Sequence, residues 1–323
     1  MPEWVLVTGA SGFIAGHCVT ELADHGYAVR GTVRRPGQAD HLTDAAELVT
    51  ADLDSDDGWA DAVAGCTYVL HVASPFPSQA PADERELIRP AVEGTLRVLR
   101  ASAQSGTVKR VVLTSSVAAI GAGHPATRTL TEDDWSDLGG SGAYPKSKTL
   151  AERAAWDFVH ADGQLELAVI NPGMVLGPVQ RAAAGTSLEP VRRLLARQVP
   201  GIPRLGWATV DVRDLAVAHR LAMEVPDAAG NRYICAGEHV WMRDMAEILV
   251  TEYRVPTRAV PYWLMWVIAR FDPTVRMALS SVGQREVVSA DKARRELGWT
   301  MRPLDETILD TARSLIDHHV VSA

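Results

Sequence analysis

The sequence has few cysteines, no metal-binding motif and no long apolar run, features that mark disulfide-rich, zinc-binding and membrane-spanning proteins. Its three cysteines, Cys18, Cys66 and Cys235, are odd in number and far apart among 323 residues, which argues against a disulfide framework and indicates a reducing compartment. No spacing of cysteine and histidine is typical of a zinc site, so we expect no metal. The longest apolar run, Val260 to Ile268, is too short to span a bilayer. Its segment Trp263–Trp266 favours a packed helix face over a membrane anchor.

Long blocks of like charge are also absent from the sequence. The net charge is -8, with both signs spread along the chain, which argues against the basic face of a nucleic-acid-binding protein. The chain opens with Met1-Pro2-Glu3 and passes directly into an apolar strand, without the basic region and cleavage site of a signal peptide. We therefore expect a cytoplasmic protein whose partner is a small molecule rather than nucleic acid or a membrane.

A glycine-rich turn follows the first predicted strand. The apolar run Trp4–Val7 leads through Thr8 into the stretch Gly9–Gly16, and a helical pattern then continues to Leu22. This order is typical of a dinucleotide-binding unit, in which glycines let the backbone approach the pyrophosphate at the helix N-terminus. Glycine clusters also form plain turns, but the position directly after a buried strand favours the dinucleotide site.

Two arginines follow the second predicted strand, Tyr27–Val33. An NAD site usually has Asp or Glu at this strand end to bind the ribose hydroxyls, whereas Arg34 and Arg35 offer guanidinium groups that suit a 2′-phosphate. The alternative is a solvated basic loop before Pro36-Gly37. We favour NADP(H) as the cofactor, with Arg34 ahead of Arg35.

Strands continue to alternate with helices as far as residue 173. Four further strands are predicted, at residues 47–51, 67–72, 110–114 and 165–170. They end in Asp52-Leu53, Ala73-Ser74-Pro75, Ser115-Ser116 and Asn171-Pro172-Gly173. The alternation predicts a Rossmann-type α/β fold, a doubly wound parallel sheet that binds its ligands at the carboxyl edge.

The alternation breaks after Gly173. Residues 174–209 look loop-rich with one basic helix, and Asp211 caps a helix that runs to Met223. A short strand is predicted at Arg232–Cys235, and from there to Ser281 the chain is predicted to be helical with proline breaks. We predict a smaller, discontinuous substrate-binding lobe that packs over the sheet. The predicted division assigns 1–173 and about 210–235 to an NADP-binding domain, and mainly 174–209 and 236–323 to this lobe.

A tyrosine and a lysine stand four residues apart in Tyr144-Pro145-Lys146-Ser147-Lys148. This spacing places both side chains on one helix face, about one turn apart, and Pro145 falls in the first turn, where it is tolerated. An ammonium beside a buried phenol stabilises the tyrosinate and makes the tyrosine a usable acid and base. The isolated pattern equally fits a solvated helix face, so its chemistry depends on a cofactor and a third polar group.

In this order the motifs resemble those of the extended short-chain dehydrogenases/reductases. The resemblance runs along nearly the whole chain, through Val7–Ile14, Asp52-Leu53, His71–Pro75, Thr114–Ser116, Tyr144–Lys148, Asn171–Gly173 and Ser289–Trp299. Within the family, Thr32–Arg34, His71–Pro75 and Trp135–Asp137 are similar to the branch of dihydroflavonol and cinnamoyl-CoA reductases. That branch also holds bacterial and yeast aldehyde and ketone reductases, most of which use NADPH. Ala15 departs from the usual third loop glycine, with Gly16 beside it.

The resemblance implies roles for three residues. Tyr144 is the expected acid/base residue, Lys148 is expected to lower the pKa of Tyr144 and hold the nicotinamide ribose, and Ser116 is expected to orient the substrate carbonyl. The residues predicted to bind the cofactor are Thr8, Gly9, Ser11, Gly12, Phe13, Ile14, Arg34, Arg35, Asp52, Leu53, Val72, Ala73, Ser74, Thr114, Ser115, Tyr144, Lys148, Pro172, Gly173 and Val175. The substrate pocket is predicted to include Pro75, Phe76, Trp135 and Met174, although the last two also fit an ordinary core.

The sequence therefore predicts an NADPH-dependent reductase of aldehydes or ketones, active on an aromatic or otherwise bulky substrate, as a monomer or homodimer. One alternative is a nucleotide-sugar epimerase or dehydratase, which normally retains NAD and an acid after the second strand; Arg34 argues against it. A hydroxysteroid-type alcohol dehydrogenase is another. A non-catalytic NADP-binding regulator is a third, and the intact Tyr144 and Lys148 argue against it.

Overall fold

A seven-stranded parallel sheet runs through the molecule, here described from a computed structural model. The structure describes residues 2–75, 83–124, 128–182, 185–198, 201–260, 262–268, 270 and 282–321. The strands of this large sheet, in chain order, are β1 (Trp4–Val7), β2 (Ala28–Val33), β3 (Glu47–Thr50), β4 (Tyr68–His71), β5 (Arg110–Thr114), β6 (Glu166–Pro172) and β9 (Arg232–Cys235). Their spatial order is β3-β2-β1-β4-β5-β6-β9, and every neighbouring pair is parallel. The predicted Rossmann-type α/β fold is confirmed.

Helices cover both faces of the large sheet. They are α1 (Phe13–Asp24), α2 (Trp59–Val63), α3 (Arg85–Ser105), α4 (Ala143–Asp162) and α6 (Val212–Glu224). One apolar core lies between the sheet and α1 with α6, and a second lies between the sheet and the helices α2, α3 and α4. Val5, Leu6 and Val7 are fully buried, as expected of a central parallel strand covered on both faces.

A second, three-stranded sheet follows the carboxyl end of β6. It consists of β7 (Met174–Leu176), β8 (Gly206–Asp211) and β10 (His239–Trp241), with β8 in the centre. The remaining helices are α5 (Glu189–Leu195), α7 (Met242–Leu249), α8 (Tyr262–Ile268), α9 (Asp291–Leu297) and α10 (Leu304–Asp317). Helices α5, α7 and α10 share one apolar core with this small sheet.

The strands of the large sheet lie where the sequence predicts them, within a few residues. The sequence prediction missed β7, β8 and β10, which are three to six residues long, and the short helix α2. Trp299, just after α9, is buried in the core beside α6, so this part of the C-terminal region packs on the large sheet. The predicted division into two domains stays a prediction.

The expectation for the segment Trp263–Trp266 is wrong in part. Met265 is buried, but Trp263 and Trp266 are 66% and 53% exposed, so the two indoles do not form a packed helix face within the described residues. None of the helices in the described parts of the chain is both long and apolar enough to cross a membrane.

Candidate active site

The glycine loop between β1 and α1 fits closely against the end of β4. Gly9 adopts a positive φ of 68°, and a Cβ atom at this position would lie 3.0 Å from the Cβ of Ala73. Thr8 is fully buried, and its hydroxyl accepts a hydrogen bond from the Ala73 N–H and pairs with His71 Nδ1, each at 2.9 Å. Thr8 therefore joins the two strands between which the sheet order reverses, where open α/β sheets bind their ligands.

The N-terminus of α1 faces a cavity of about 190 Å³. The cavity is lined by Ser11, Gly12, Phe13, His41, Val179, Gln180, Arg181 and Gly185. The segment after β7 can lie this close because Gly16 has no side chain: a Cβ there would meet Gln180 Oε1 at 2.4 Å. A tight glycine loop, a helix N-terminus and an adjoining cavity together fit the pyrophosphate of a dinucleotide.

A group of basic residues lies near this cavity. Arg34 and Arg35 are exposed directly after β2, and neither guanidinium group forms an ion pair within the described part of the chain. Gln38 accepts a hydrogen bond from the Arg35 N–H at 3.2 Å, and its own carbonyl is 3.5 Å from Arg181 Nη1. Sequence analysis missed Arg181 and His41 as lining residues, because no local motif marks them and the fold alone brings their loops together.

The predicted adenine side follows β3. Asp52 Oδ1 accepts the Asp54 N–H at 3.1 Å, so the turn is fixed by a side chain of the predicted site. The Leu53 side chain packs against Gly94 of α3, where a Cβ would lie 3.0 Å from the Leu53 Cβ. After β4, the residues Val72, Ala73, Ser74 and Pro75 are half-buried. Phe76 lies outside the described residues.

Two adjacent serines at the end of β5 have different partners. Ser115 donates its hydroxyl proton to Glu152 Oε2 at 2.5 Å, in a buried contact with α4. Ser116 has an extended backbone and caps the following helical turn, where its hydroxyl accepts the Ala118 N–H at 3.1 Å. Thr114, before them, pairs with the buried His219 Nε2 at 2.7 Å. Thr114 and Ser115 therefore make internal contacts.

Tyr144 lies in the first turn of α4, and its phenol forms a hydrogen bond with the Ser116 side chain. Burial raises the pKa of Tyr144 above its ordinary value; the bond with Ser116 opposes this rise, and the charge of Glu286 adds to it. Burial is the largest cause of the shift in this structure, and the expected lowering of this pKa by Lys148 stays a prediction. The phenol is accordingly protonated at neutral pH.

Lys148 is buried one turn further along α4. Burial lowers the pKa of Lys148 to about 8, and the nearby carboxylate of Glu152 opposes this shift. Its charge also reaches β4, since it contributes to lowering the pKa of His71 to about 3, an effect caused first by the burial of that imidazole. Lys148 is therefore close enough to the end of β4 for its charge to act on His71.

Glu152 connects several elements beneath this lysine. Its two carboxylate oxygens accept hydrogen bonds from Arg232 Nε at 2.5 Å, from Ser115 Oγ and from Asn171 Nδ2 at 3.0 Å. Arg232 in turn lies over the Trp135 ring, 3.8 Å from its centroid. The described contacts of the Trp135 ring are therefore with cations, with Arg153 on it as well.

Small residues at the end of β6 and in the adjoining β8, Gly173 and Ala208, form one side of the candidate site, called the small-residue wall below. A Cβ at Gly173 would lie 2.2 Å from the carbonyl oxygen of Ala208 in β8, so only glycine allows this close approach. Pro172 ends β6, and Met174 and Val175 follow in β7. Met174 is half-buried and packs against the core of the small sheet.

Sequence analysis missed two acidic residues of this site, Glu152 and Glu286. A glutamate four residues after Lys148 on the same helix face was a usable signal for Glu152. Glu286 lies far along the chain and has no motif of its own. Among the described residues, no group of three or more His, Cys, Asp or Glu side chains is arranged to hold a metal ion.

Comparisons with known proteins support the same picture. Residues 5–236 match the model of the NAD dependent epimerase/dehydratase family. Cinnamoyl-CoA reductase CAD2 of Medicago truncatula is 39% identical, over 96% of this chain and 95% of its own length. Dihydroflavonol 4-reductase of Arabidopsis thaliana is 37% identical, over 79% of this chain and 72% of its own.

Among solved structures, that of the yeast methylglyoxal/isovaleraldehyde reductase Gre2 complexed with NADPH is similar throughout. Its TM-score is 0.82 at 29% identity, with 98% of this chain and 99% of that chain covered. The chain therefore belongs to the NAD dependent epimerase/dehydratase family, the extended short-chain dehydrogenases/reductases, alongside the oxidoreductases cinnamoyl-CoA reductase and dihydroflavonol 4-reductase.

Proposed function

We propose that the protein is an NADPH-dependent carbonyl reductase that converts an aldehyde or ketone into an alcohol. The observation that supports this most directly is the arrangement around Tyr144. Its phenol is hydrogen-bonded with Ser116 and lies one helical turn from the buried Lys148, at the sheet edge that carries the glycine loop. The matching relatives are named as reductases, which supports the same direction of reaction.

Tyr144 acts as the proton donor. A phenol holds its proton at neutral pH, so Tyr144 can give that proton to the carbonyl oxygen as negative charge develops there. Ser116 is the second hydrogen-bond donor to that oxygen. Both bonds strengthen as the oxygen gains charge, so they stabilise the transition state more than the bound substrate.

Lys148 stabilises the tyrosinate that proton donation leaves. With a pKa of about 8 its amine is mostly protonated at pH 7, so a positive charge is available next to Tyr144 on the same helix face. Glu152 supports this role by opposing the loss of that proton. We regard Glu152 as a positioning residue, since its hydrogen bonds are internal.

The proposed cofactor site uses the glycine loop and the basic residues after β2. NADPH, when bound, supplies the hydride that reduces the carbonyl carbon. Gly9, Gly12 and the N-terminus of α1 would hold its pyrophosphate, and Arg34 with Arg35 would bind its 2′-phosphate. The yeast reductase was solved with NADPH, which supports this choice over NADH.

The proposed substrate is an aromatic or otherwise bulky carbonyl compound. This rests on the names of the relatives, a cinnamoyl-CoA reductase and a dihydroflavonol 4-reductase. A nucleotide-sugar epimerase is disfavoured by arginine in place of an acid at position 34.

An NADPH-consumption screen tests the proposal. Aldehydes, aryl ketones, diketones and ketoesters are offered to the wild-type protein and to Tyr144→Phe. We expect the wild type to consume NADPH and Tyr144→Phe to lose at least about a hundredfold in rate, because the proton donor is gone.

NADPH affinity of Tyr144→Phe, measured by fluorescence titration, should be nearly unchanged. Tyr253→Phe, on the core of the small sheet, is the matched control and should stay active. A Tyr144→Phe variant that keeps most of its activity would contradict the mechanism.

A further inference from the structure

The segment Val282–Ala290 links the small sheet to the neighbourhood of Tyr144. On one side the Glu286 N–H donates to Nδ1 of His239 in β10 at 3.1 Å. Gly283 donates its backbone N–H at 2.7 Å to the carbonyl of Arg204, just before β8. Since a backbone N–H can only donate, Nδ1 is the acceptor, and the neutral His239 ring carries its proton on Nε2.

On its other side this segment pairs with Leu130. Leu130 donates its N–H to Val287 O at 2.9 Å and accepts the Ser289 N–H at 2.9 Å. Leu130 is buried against Val117 and Ile120, which belong to the helical turn that Ser116 caps and to its C-terminal end. Glu286 therefore lies between two parts of the structure. Strands β8 and β10 are on one side, and the turn that Ser116 caps is on the other.

The Glu286 carboxylate adjoins the small-residue wall of the candidate site. Its Oε2 accepts the Ala208 N–H at 3.1 Å, and the carbonyl of the same Ala208 is the group that closely approaches Gly173. Glu286 Oε1 accepts no hydrogen bond within the described part of the chain. The charge of Glu286 also contributes to raising the pKa of Tyr144, in agreement with this position.

Glu286 takes part in none of the ion pairs among the described residues. Burial, followed by the charge of Arg285, lowers the pKa of the adjacent His239, so that its ring stays neutral, and neither residue contributes to the pKa shift of Glu286. Glu286 is half-buried; burial raises the pKa of its carboxyl, and the hydrogen bond from the Ala208 N–H opposes this rise. A carboxylate oxygen to which the protein donates no hydrogen bond gains most from a donor that a ligand provides. A second negative charge in the same place would be repelled.

We propose that Glu286 is a specificity-determining residue, which accepts a hydrogen bond from a hydroxyl or amine that the substrate carries close to the carbonyl group and which excludes substrates with a carboxylate there. This inference rests on the proposed carbonyl reductase function, since Tyr144 has to hold the carbonyl oxygen. The preferred substrates are therefore hydroxy- or amino-substituted carbonyl compounds, and keto acids are poor substrates.

Two matched series of substrates test the inference with the full-length protein and NADPH. The aryl series is acetophenone, 2-hydroxyacetophenone and benzoylformate. The alkyl series is butan-2-one, 1-hydroxybutan-2-one and 2-oxobutanoate. For the wild type we expect the hydroxy ketone to have the highest kcat/KM of each series and the keto acid the lowest.

Glu286→Gln replaces the hydrogen-bond acceptor Oε1 with a hydrogen-bond donor. The amide oxygen has to replace Oε2 as acceptor of the Ala208 N–H, so the NH2 group is left as a donor where Oε1 was an acceptor. The hydroxy-to-plain ketone ratio of kcat/KM should fall by about tenfold or more, mainly through KM, because a charge-assisted hydrogen bond is lost. The keto acid should improve relative to the plain ketone. Glu286→Asp keeps the charge and should keep the order of preference.

Glu132→Gln is the matched control. Glu132 is a buried carboxyl that likewise accepts a backbone N–H, from Ile234 at 2.9 Å, and burial raises its pKa. Its charge does not act on Tyr144, so the substrate ratios should not change. NADPH affinity and melting temperature show that each variant is folded.

The outcomes separate the two proposals. If the wild type reduces these ketones and Glu286→Gln leaves both ratios unchanged, the role of Glu286 is overturned while the reductase function stands. If the wild type consumes NADPH with no carbonyl compound of these series or of the wider screen, the reductase function fails, and the inference fails with it.

Discussion

Ser115 donates a hydrogen bond to Glu152 across 2.5 Å, and this contact separates the roles of two adjacent serines. The Ser115 hydroxyl proton is directed into the buried network beneath α4. The neighbouring Ser116 is instead hydrogen-bonded with the Tyr144 phenol. In a sequence, Ser115-Ser116 is only a pair of hydroxyls at a strand end, and the structure distinguishes them by their partners.

This difference predicts opposite effects for two alanine variants. Ser116→Ala removes a donor to the developing oxyanion, and kcat should fall about a hundredfold, in the range known for one such donor. Ser115→Ala removes a buried hydrogen bond to Glu152, so it should cost about 1–3 kcal/mol of unfolding free energy with a much smaller loss of kcat. Steady-state kinetics and thermal unfolding of both variants distinguish the two. Equal losses of kcat would contradict the assignment.

The charge of Lys148 predicts a pH dependence for the reduction. Its pKa of about 8 means that the amine is protonated below that pH and neutral above it. A neutral amine no longer stabilises the tyrosinate, so kcat should be constant near pH 6–7 and decline as the pH rises through about 8. Because the Glu152 carboxylate raises this pKa, Glu152→Gln should move the decline to lower pH.

The control for that variant concerns Arg232. Glu152→Gln leaves a buried guanidinium without its carboxylate, which is expected to destabilise the fold by about 3–5 kcal/mol. The double variant Glu152→Gln/Arg232→Gln removes both charges of the pair and should regain part of this stability while it keeps the shifted pH profile. A pH profile of Glu152→Gln that coincides with that of the wild type would show that Glu152 does not act on Lys148 through its charge.

Much of the fold could be predicted from the sequence because its signals are local. Central strands such as Val5–Val7 are buried on both faces and so form short apolar runs, and the glycine loop and the Tyr144 helix follow from spacing within one element. The sequence could not predict Glu286, because its position depends on pairing with Leu130 and Ala208 from distant parts of the chain. The direction of the Tyr144 pKa likewise depends on burial, which spacing does not reveal.

Cofactor preference provides the last prediction, since Arg34 and Arg35 lie side by side but differ in their surroundings. Both are exposed, and the Arg35 backbone is held by Gln38, whereas Arg34 directly follows β2. Arg34→Ala should lower kcat/KM for NADPH by about tenfold to a hundredfold, as expected for a charge-assisted bond to the 2′-phosphate, and leave the value for NADH unchanged.

Arg35→Ala is the matched control and should have the smaller effect of the two. The NADPH effect of Arg34→Ala should also weaken as salt is added, because exposed charges are screened within about 10 Å at 0.1 M ionic strength. Kinetics with both nucleotides at two salt concentrations provide the measurement. Equal wild-type rates with NADPH and NADH, or an Arg34→Ala variant that loses both nucleotides equally, would rule out a 2′-phosphate contact as the role of Arg34.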